Sequence, residues 1–176
     1  MIPVAATENL IPVEEQVEAT PTKSTHITLV THDNMWYWWE LLRSGLANME
    51  HHFVDNDNPI MELAHGLYTA RLYAYIASEI TDGDFEHPNP MAMVVVAPVA
   101  DVGTNGKVLL IYALYAFQRP IPRAVLDRGR DHIMAMAKTF HCKKIKAEVQ
   151  DKDMLRYCRA LGWFTKEQTQ LIAEVE

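Results

Sequence analysis

The sequence has few of the features that mark several large classes of protein. Only two of its 176 residues are cysteines, Cys142 and Cys158. Two are too few for a disulfide framework, and they lack the spacing of a metal site, while a single disulfide bridge between them stays open as an alternative. No apolar run approaches the ~20 residues of a membrane-spanning helix, and the N-terminus has no basic segment followed by an apolar core. We therefore expect a cytoplasmic protein without a membrane span.

Positive charge is also scarce. The chain has 16 Lys and Arg against 23 Asp and Glu, a formal net charge of −7. Proteins that bind nucleic acids concentrate Lys and Arg in order to displace counterions from the phosphate backbone, so we expect a small molecule or a protein as the partner and no nucleic acid. Apolar residues are abundant, at 49% of the chain, and suffice for the core of one domain.

Residues 1 to 22 differ in composition from the rest of the chain. They contain Pro3, Pro12 and Pro21, four glutamates and no basic residue. Such a segment cannot bury enough apolar surface to order itself. Two interpretations stay open: a flexible tail, or an extended segment that lies on a protein partner or on a second copy of the chain. The second would use the apolar residues Ile2, Val4, Leu10, Ile11 and Val13.

The spacing of apolar residues predicts alternating elements from residue 26 onward. We expect strands at 26 to 30, 91 to 99, 107 to 117, 143 to 150 and near the C-terminus, and helices at about 34 to 53, 60 to 80, 122 to 140 and from 151. The inward stripe of the first helix begins at Trp36 and Trp39, and alanines at 70, 74 and 77 extend that of the second. This order predicts an α/β fold with a mixed sheet, in which the strands 91 to 99 and 107 to 117 pair antiparallel.

Two stretches carry a resemblance to a known family. The strand 107 to 117 runs into "QRPIPRAVL" and a helix, and the last predicted helix ends in "YCRALGW". The chain resembles the GCN5-related N-acetyltransferase (GNAT) superfamily in this order, over roughly residues 26 to 176. It also resembles the acetyltransferase-like proteins encoded among the structural genes of short-tailed bacteriophages. The resemblance implies a domain over 23 to 176 with a mixed, mostly antiparallel twisted sheet and helices on both faces.

The loop at 118 to 124 corresponds to the family's pyrophosphate loop, (Arg/Gln)-x-x-Gly-x-(Gly/Ala). The resemblance implies that acetyl-CoA would be bordered by Phe117, Arg119, Arg123 and Ala124. However, Pro122 holds the glycine position and Pro120 precedes it, and proline has no N–H to donate to a phosphate. Each lost charge-assisted donor costs roughly 1.5–3 kcal/mol. An ordinary strand-to-helix turn, with Pro122 at the first helical position, is the alternative interpretation.

The acid and the base of an acyl transfer are the other positions that the resemblance implies. Cys158 occupies the place of the family's tyrosine acid, and Tyr157 beside it is rotated by about 100° around the helix. We keep both as catalytic candidates, although Cys158 also fits a small core residue. The strands 91 to 99 and 107 to 117 carry no carboxylate apart from Asp101 at their turn. Histidines 51, 52, 65, 132 and 141 are candidates by type, without the spacing of a zinc site.

Two functions follow from these features. The absent glycine, acid and strand carboxylate favour a GNAT-like scaffold whose acetyl-CoA site is degraded and which acts as a structural or partner-binding component, for instance of a bacteriophage particle. The alternative is an active acetyl-CoA-dependent N-acetyltransferase with an atypical pyrophosphate loop. A phage-encoded protein would lie in the host cytoplasm or in the virion.

The segment 1 to 22 gives the first testable prediction. If it lies on a second chain, deleting it removes the apolar contacts that join the chains, and the molar mass of the assembly measured by light scattering falls. An unchanged mass after the deletion would contradict the prediction.

Overall fold

The computed structural model describes residues 21–49, 58–101, 106–147 and 159, and these form an open sheet with helices packed against it. In chain order the elements are β1 (Lys23–Val30), α1 (Met35–Ala47), α2 (Pro59–Tyr68), β2 (Tyr73–Thr81), β3 (Asn89–Asp101), β4 (Gly106–Ala116), α3 (Arg123–Thr139) and β5 (Cys142–Ala147). No helix among them is long and apolar enough to cross a bilayer.

The five strands lie side by side in the order of the chain. Each of the pairs β1 with β2, β2 with β3 and β3 with β4 is antiparallel, whereas β4 and β5 are parallel. A parallel pair needs a long crossover between its strands, and α3 supplies it. The structure thus confirms a mixed, mostly antiparallel sheet in which the strand predicted at 107 to 117 adjoins the strand predicted at 143 to 150.

The helices cover both faces of the sheet, as predicted. Leu42 and Leu46 of α1 and Leu63 of α2 are fully buried in one core cluster with side chains of β2 and β3. Ile133 and Met136 of α3 are buried in a second cluster on the opposite face. Each such side chain contributes roughly 1.5–3 kcal/mol when it leaves water, so these two layers fix the helices to the sheet.

The prediction of a helix at 60 to 80 is wrong for the second half of that range. The helix α2 ends at Tyr68, and Tyr73–Thr81 forms β2. Ala70 adopts a positive φ of 53°, and the N–H groups of Arg71 and Leu72 donate to the carbonyl of Gly66, so the chain reverses there. The alanines fitted a helical spacing by chance, because the alternating burial from Ile76 to Ile80 is that of a strand.

The inward stripe predicted for the first helix is partly wrong. Trp36 is 78% exposed, whereas Trp38 is buried and Trp39 packs against the core. The helix ends at Ala47, before its predicted end. Residues 1 to 20 of the predicted tail, the predicted last strand, and the predicted last helix apart from Arg159 lie outside the described residues.

Two helical glycines provide a matched test of the packing. A Cβ on Gly45 would lie 2.6 Å from Cε and 2.7 Å from Sδ of Met93, whereas a Cβ on Gly129 meets no atom within 4 Å. Gly45→Ala should therefore destabilise the fold by about 1–3 kcal/mol through overpacking. Gly129→Ala should stabilise it by up to about 1 kcal/mol, because alanine is the better helix former.

Denaturant unfolding of the two variants measures both effects. Equal changes in their free energies of unfolding would contradict the close approach of α1 to β3.

Candidate functional site

A bulge interrupts the pairing of β4 with β3. Val95 pairs with Ala113 but Val96 pairs with Ile111, so Tyr112 is an extra residue in β4. Its side chain packs with that of Ala113 against the cluster beneath α1 and α2, although neighbouring residues of a regular strand point to opposite faces. Bulges of this kind re-aim a side chain and are frequent beside active sites.

The strand β4 has a partner strand on both sides before the bulge. Its parallel pairing with β5 runs from Lys107 to Ile111. In the part of the chain that the structure describes, residues 113 to 116 pair with β3 alone. Backbone groups on the other side of this segment have the spacing to bind an extended ligand that carries amide groups, as an added strand would.

The loop after β4 is anchored to β3 and then enters α3. The backbone N–H of Phe117 donates to the carbonyl of Met91 over 2.9 Å, and Nε2 of Gln118 donates to the carbonyl of Pro90 over 3.1 Å. These bonds hold the start of the loop against the sheet. The position of α3 relative to β4 is therefore fixed by the sheet.

The N-terminus of α3 has no side-chain cap. Pro122 is the N-cap residue, with φ −58° and ψ 140°, so the prediction that it takes the first helical position is wrong and Arg123 takes that position. Pro122 accepts from the N–H of Val125 and has no side chain that can cap the helix. The first N–H groups of a helix have no partner inside it, which leaves those of Arg123 and Ala124 for an anion.

The predicted cofactor-binding residues lie along this one segment. Phe117 packs on Tyr115, with ring centroids 5.3 Å apart, at the end of β4. Arg119 and Ala124 are exposed, and Arg119 makes no hydrogen bond or ion pair with any described residue. The Arg123 side chain already has a partner, because its Nε donates to Oδ2 of Asp127 over 3.0 Å. The catalytic candidates Tyr157 and Cys158 lie outside the described residues.

A carboxylate that the sequence did not reveal lies against the bulge. The Tyr112 hydroxyl donates to Oε2 of Glu62, on α2, over 2.9 Å. Burial, reinforced by this hydrogen bond and by the charge of Glu62, raises the pKa of Tyr112 well above its usual value. The phenol therefore keeps its proton and acts as a donor to the carboxylate.

The strand carboxylate that the sequence did reveal lies elsewhere. Asp101 is nearly buried, and its two oxygens lie 3.1 Å from Nζ of Lys146 and 3.7 Å from Nζ of Lys144. Asp101 pairs with Gly106 at the start of β4, whereas the bulge and α3 lie towards its end. Asp101 therefore serves to tie β3 to β5 and is not a base for this site.

The candidate histidines do not form one site. His132 lies on α3, on the opposite face of the sheet from α2, and burial lowers its pKa. His65 is in the last turn of α2, and His141 follows α3. Histidines 51 and 52 lie outside the described residues. The described residues contain no group of three or more His, Cys, Asp or Glu side chains that could hold a metal ion.

Solved structures of acetyltransferases share this fold. Aminoglycoside N-acetyltransferase AAC(6')-Iy, solved with a CoA bisubstrate analogue, is 13% identical with a TM-score of 0.61, over 86% of this chain and 99% of its own. Ribosomal-protein-alanine N-acetyltransferase of Brucella melitensis is 12% identical with a TM-score of 0.59, over 87% of this chain and 100% of its own. A predicted acetyltransferase of Clostridium acetobutylicum, solved with acetyl-CoA, is 14% identical with a TM-score of 0.61, over 86% of this chain and 96% of its own.

Because the sequence identities are so low, these similarities show the fold alone. The chain has the GNAT acetyltransferase fold that its sequence resembles. No protein-family model and no curated protein matches its sequence.

The ion pair between Arg123 and Asp127 predicts a gain of affinity. Asp127→Asn removes the carboxylate that holds Arg123, so the guanidinium becomes available to a phosphate beside the N-terminus of α3. We expect the Kd for coenzyme A, measured by calorimetry, to fall by roughly threefold to tenfold, since exposed ion pairs are worth only about 0–1 kcal/mol and the new contact is charge-assisted.

Asp131→Asn is the matched control. It removes the same charge but releases Arg130, which bonds Asp131 over 2.9 Å. Equal gains in the two variants would show that net charge, and not Arg123, changes the affinity.

Proposed function

We propose that the protein binds an acyl-CoA and transfers the acyl group to an amine, as an N-acetyltransferase. The uncapped N-terminus of α3, directly after β4, is the observation that carries this proposal. A helix N-terminus that offers free N–H groups stabilises a phosphate both by hydrogen bonds and by the helix dipole.

The pyrophosphate of the cofactor would lie on the backbone of this loop. The donors are the N–H groups of Ile121, Arg123 and Ala124, with Arg119 as a charged side chain nearby. Pro120 and Pro122 supply no donor, so the loop has fewer contacts than the glycine pattern allows. Residues 113 to 116 would hold the extended arm of the cofactor through backbone hydrogen bonds.

An acyl-CoA supplies the acyl group as a thioester when it is bound. The chain's own contribution is to fix the two ends of that ligand: α3 holds its charged end, and β4 directs its arm towards the bulge at Tyr112. Because both parts belong to one continuous segment of the chain, an acceptor on the α1 and α2 face would meet the acyl group in a defined geometry.

A second candidate is the degraded site. Pro122 stands in the glycine position, and Arg123 is held by Asp127, so the loop has lost two of the contacts that would favour coenzyme A. In that case the scaffold serves as a structural or partner-binding component, for instance of a bacteriophage particle, with residues 1 to 22 as the contact. This candidate requires that coenzyme A does not bind.

Substitutions of Pro122 separate the two candidates. Pro122→Asp supplies the missing cap, so it should stabilise the fold by about 1 kcal/mol. The same carboxylate would occupy the N–H groups of α3 and repel a pyrophosphate, so the Kd for acetyl-CoA should rise by tenfold or more. Thermal unfolding measures the first effect and calorimetric titration the second.

Pro122→Gly and Pro122→Asn are the controls. Glycine adds a donor without a cap, so it should tighten the binding of acetyl-CoA, whereas asparagine caps without charge and should weaken it less than aspartate does. If the unmodified protein and the glycine variant both fail to bind acetyl-CoA, the degraded-site candidate is favoured and the proposed function is wrong.

A further inference from the structure

We infer that Glu62 takes the proton that the amine acceptor loses, and that Tyr112 is the positioning residue for its carboxylate. The inference rests on the proposed function and concerns the acceptor side of the same site. The proton acceptor then lies on the helix α2, and not among the strand carboxylates and histidines that the sequence offered as candidates.

The pair forms beside the bulge. Ile111 packs beneath α3, and Tyr112, the next residue of β4, points to the other face of the sheet, that of α1 and α2. There it meets Glu62, which is 50 residues earlier in the chain. The hydrogen bond of 2.9 Å thus holds the carboxylate next to Ile111, where the described pairing of β4 with β5 ends.

Exposure and charge suit this carboxylate to an amine. Glu62 is exposed, so an acceptor that arrives from solvent as an ammonium ion can reach it. Opposite charges attract the acceptor to the side chain that must then receive its proton.

The ammonium ion first gives one proton to Glu62, directly or through one water, which leaves the nitrogen with a lone pair. The amine nitrogen then forms a bond to the acyl carbon, the carbon–sulfur bond of the thioester breaks, and its electron pair leaves with the sulfur. The second proton of the nitrogen passes through solvent to the thiolate. Tyr112 is not the proton acceptor, because its phenol is already protonated and its hydrogen bond points to Glu62.

The pair can be tested first without any cofactor. Tyrosine labelled with ¹³C allows the ionisation of Tyr112 to be followed by NMR, with Tyr112→Phe to assign its signal. Glu62→Gln removes the charge that opposes ionisation of the phenol, so Tyr112 should titrate at lower pH in that variant. An unchanged titration would overturn the pairing.

Kinetics with acetyl-CoA and n-butylamine as the probe acceptor test the role. Glu62→Gln should lower kcat by roughly 10²-fold or more and leave the Kd for acetyl-CoA unchanged. Tyr112→Phe should lower kcat by roughly tenfold and leave the same Kd unchanged, since the base remains but is less well held. Glu62→Asp should recover part of the rate.

Glu40→Gln is the matched control, because Glu40 is an exposed glutamate on α1 whose partner is Arg43. It should change neither kcat nor the Kd. Binding of acetyl-CoA without transfer to the amine, or an unchanged kcat in Glu62→Gln, would overturn the inference and leave cofactor binding intact. Failure of the unmodified protein to bind acetyl-CoA would overturn the proposed function, and the inference with it.

Discussion

The break in register between β3 and β4 is the feature around which the candidate site is arranged. The bulge puts Tyr112 and its neighbour Ala113 on the same face of the sheet, that of α1 and α2, and the described parallel pairing of β4 with β5 ends at Ile111, just before it. In a regular strand Ala113 would face α3, as Ile111 does. The same strand then leads directly into the loop and the uncapped N-terminus of α3.

The loop combines features that favour an anion with features that oppose it. The free N–H groups of Arg123 and Ala124 and the dipole of α3 favour binding, the latter by about 0.3–1 kcal/mol. Each donor lost to Pro120 or Pro122 costs roughly 1.5–3 kcal/mol if it would have met a phosphate. A hydrogen bond from either remaining N–H to a phosphate contributes about as much as one lost donor costs, so the affinity depends on details such as the ion pair of Arg123 with Asp127.

The sequence predicted the parts of the fold that have a local signal. The apolar runs of β3 and β4 and the spacing of Val125, Ile133 and Met136 in α3 identified those elements. The strand β2 was missed, because alanines at helical spacing masked an alternating pattern. The cofactor-binding candidates lie in one short stretch of chain, and their role stays a prediction.

The contact of Tyr112 with Glu62 had no such signal. It depends on the approach of a helix that lies 50 residues earlier in the chain, and such an approach leaves no periodic pattern in the sequence. Asp101, the carboxylate that the predicted strands do show, is held by two lysines at the start of β4. Contacts that form only through tertiary packing cannot be predicted from a local sequence pattern.

The most direct test of the account is to map the amide signals of the ¹⁵N-labelled protein by NMR as coenzyme A is added. If the backbone at the N-terminus of α3 holds the pyrophosphate, the largest shifts should fall on the N–H groups of Ile121, Arg123 and Ala124, with smaller shifts along residues 113 to 116. Shifts confined to other parts of the chain, or no shifts at millimolar coenzyme A, would contradict it.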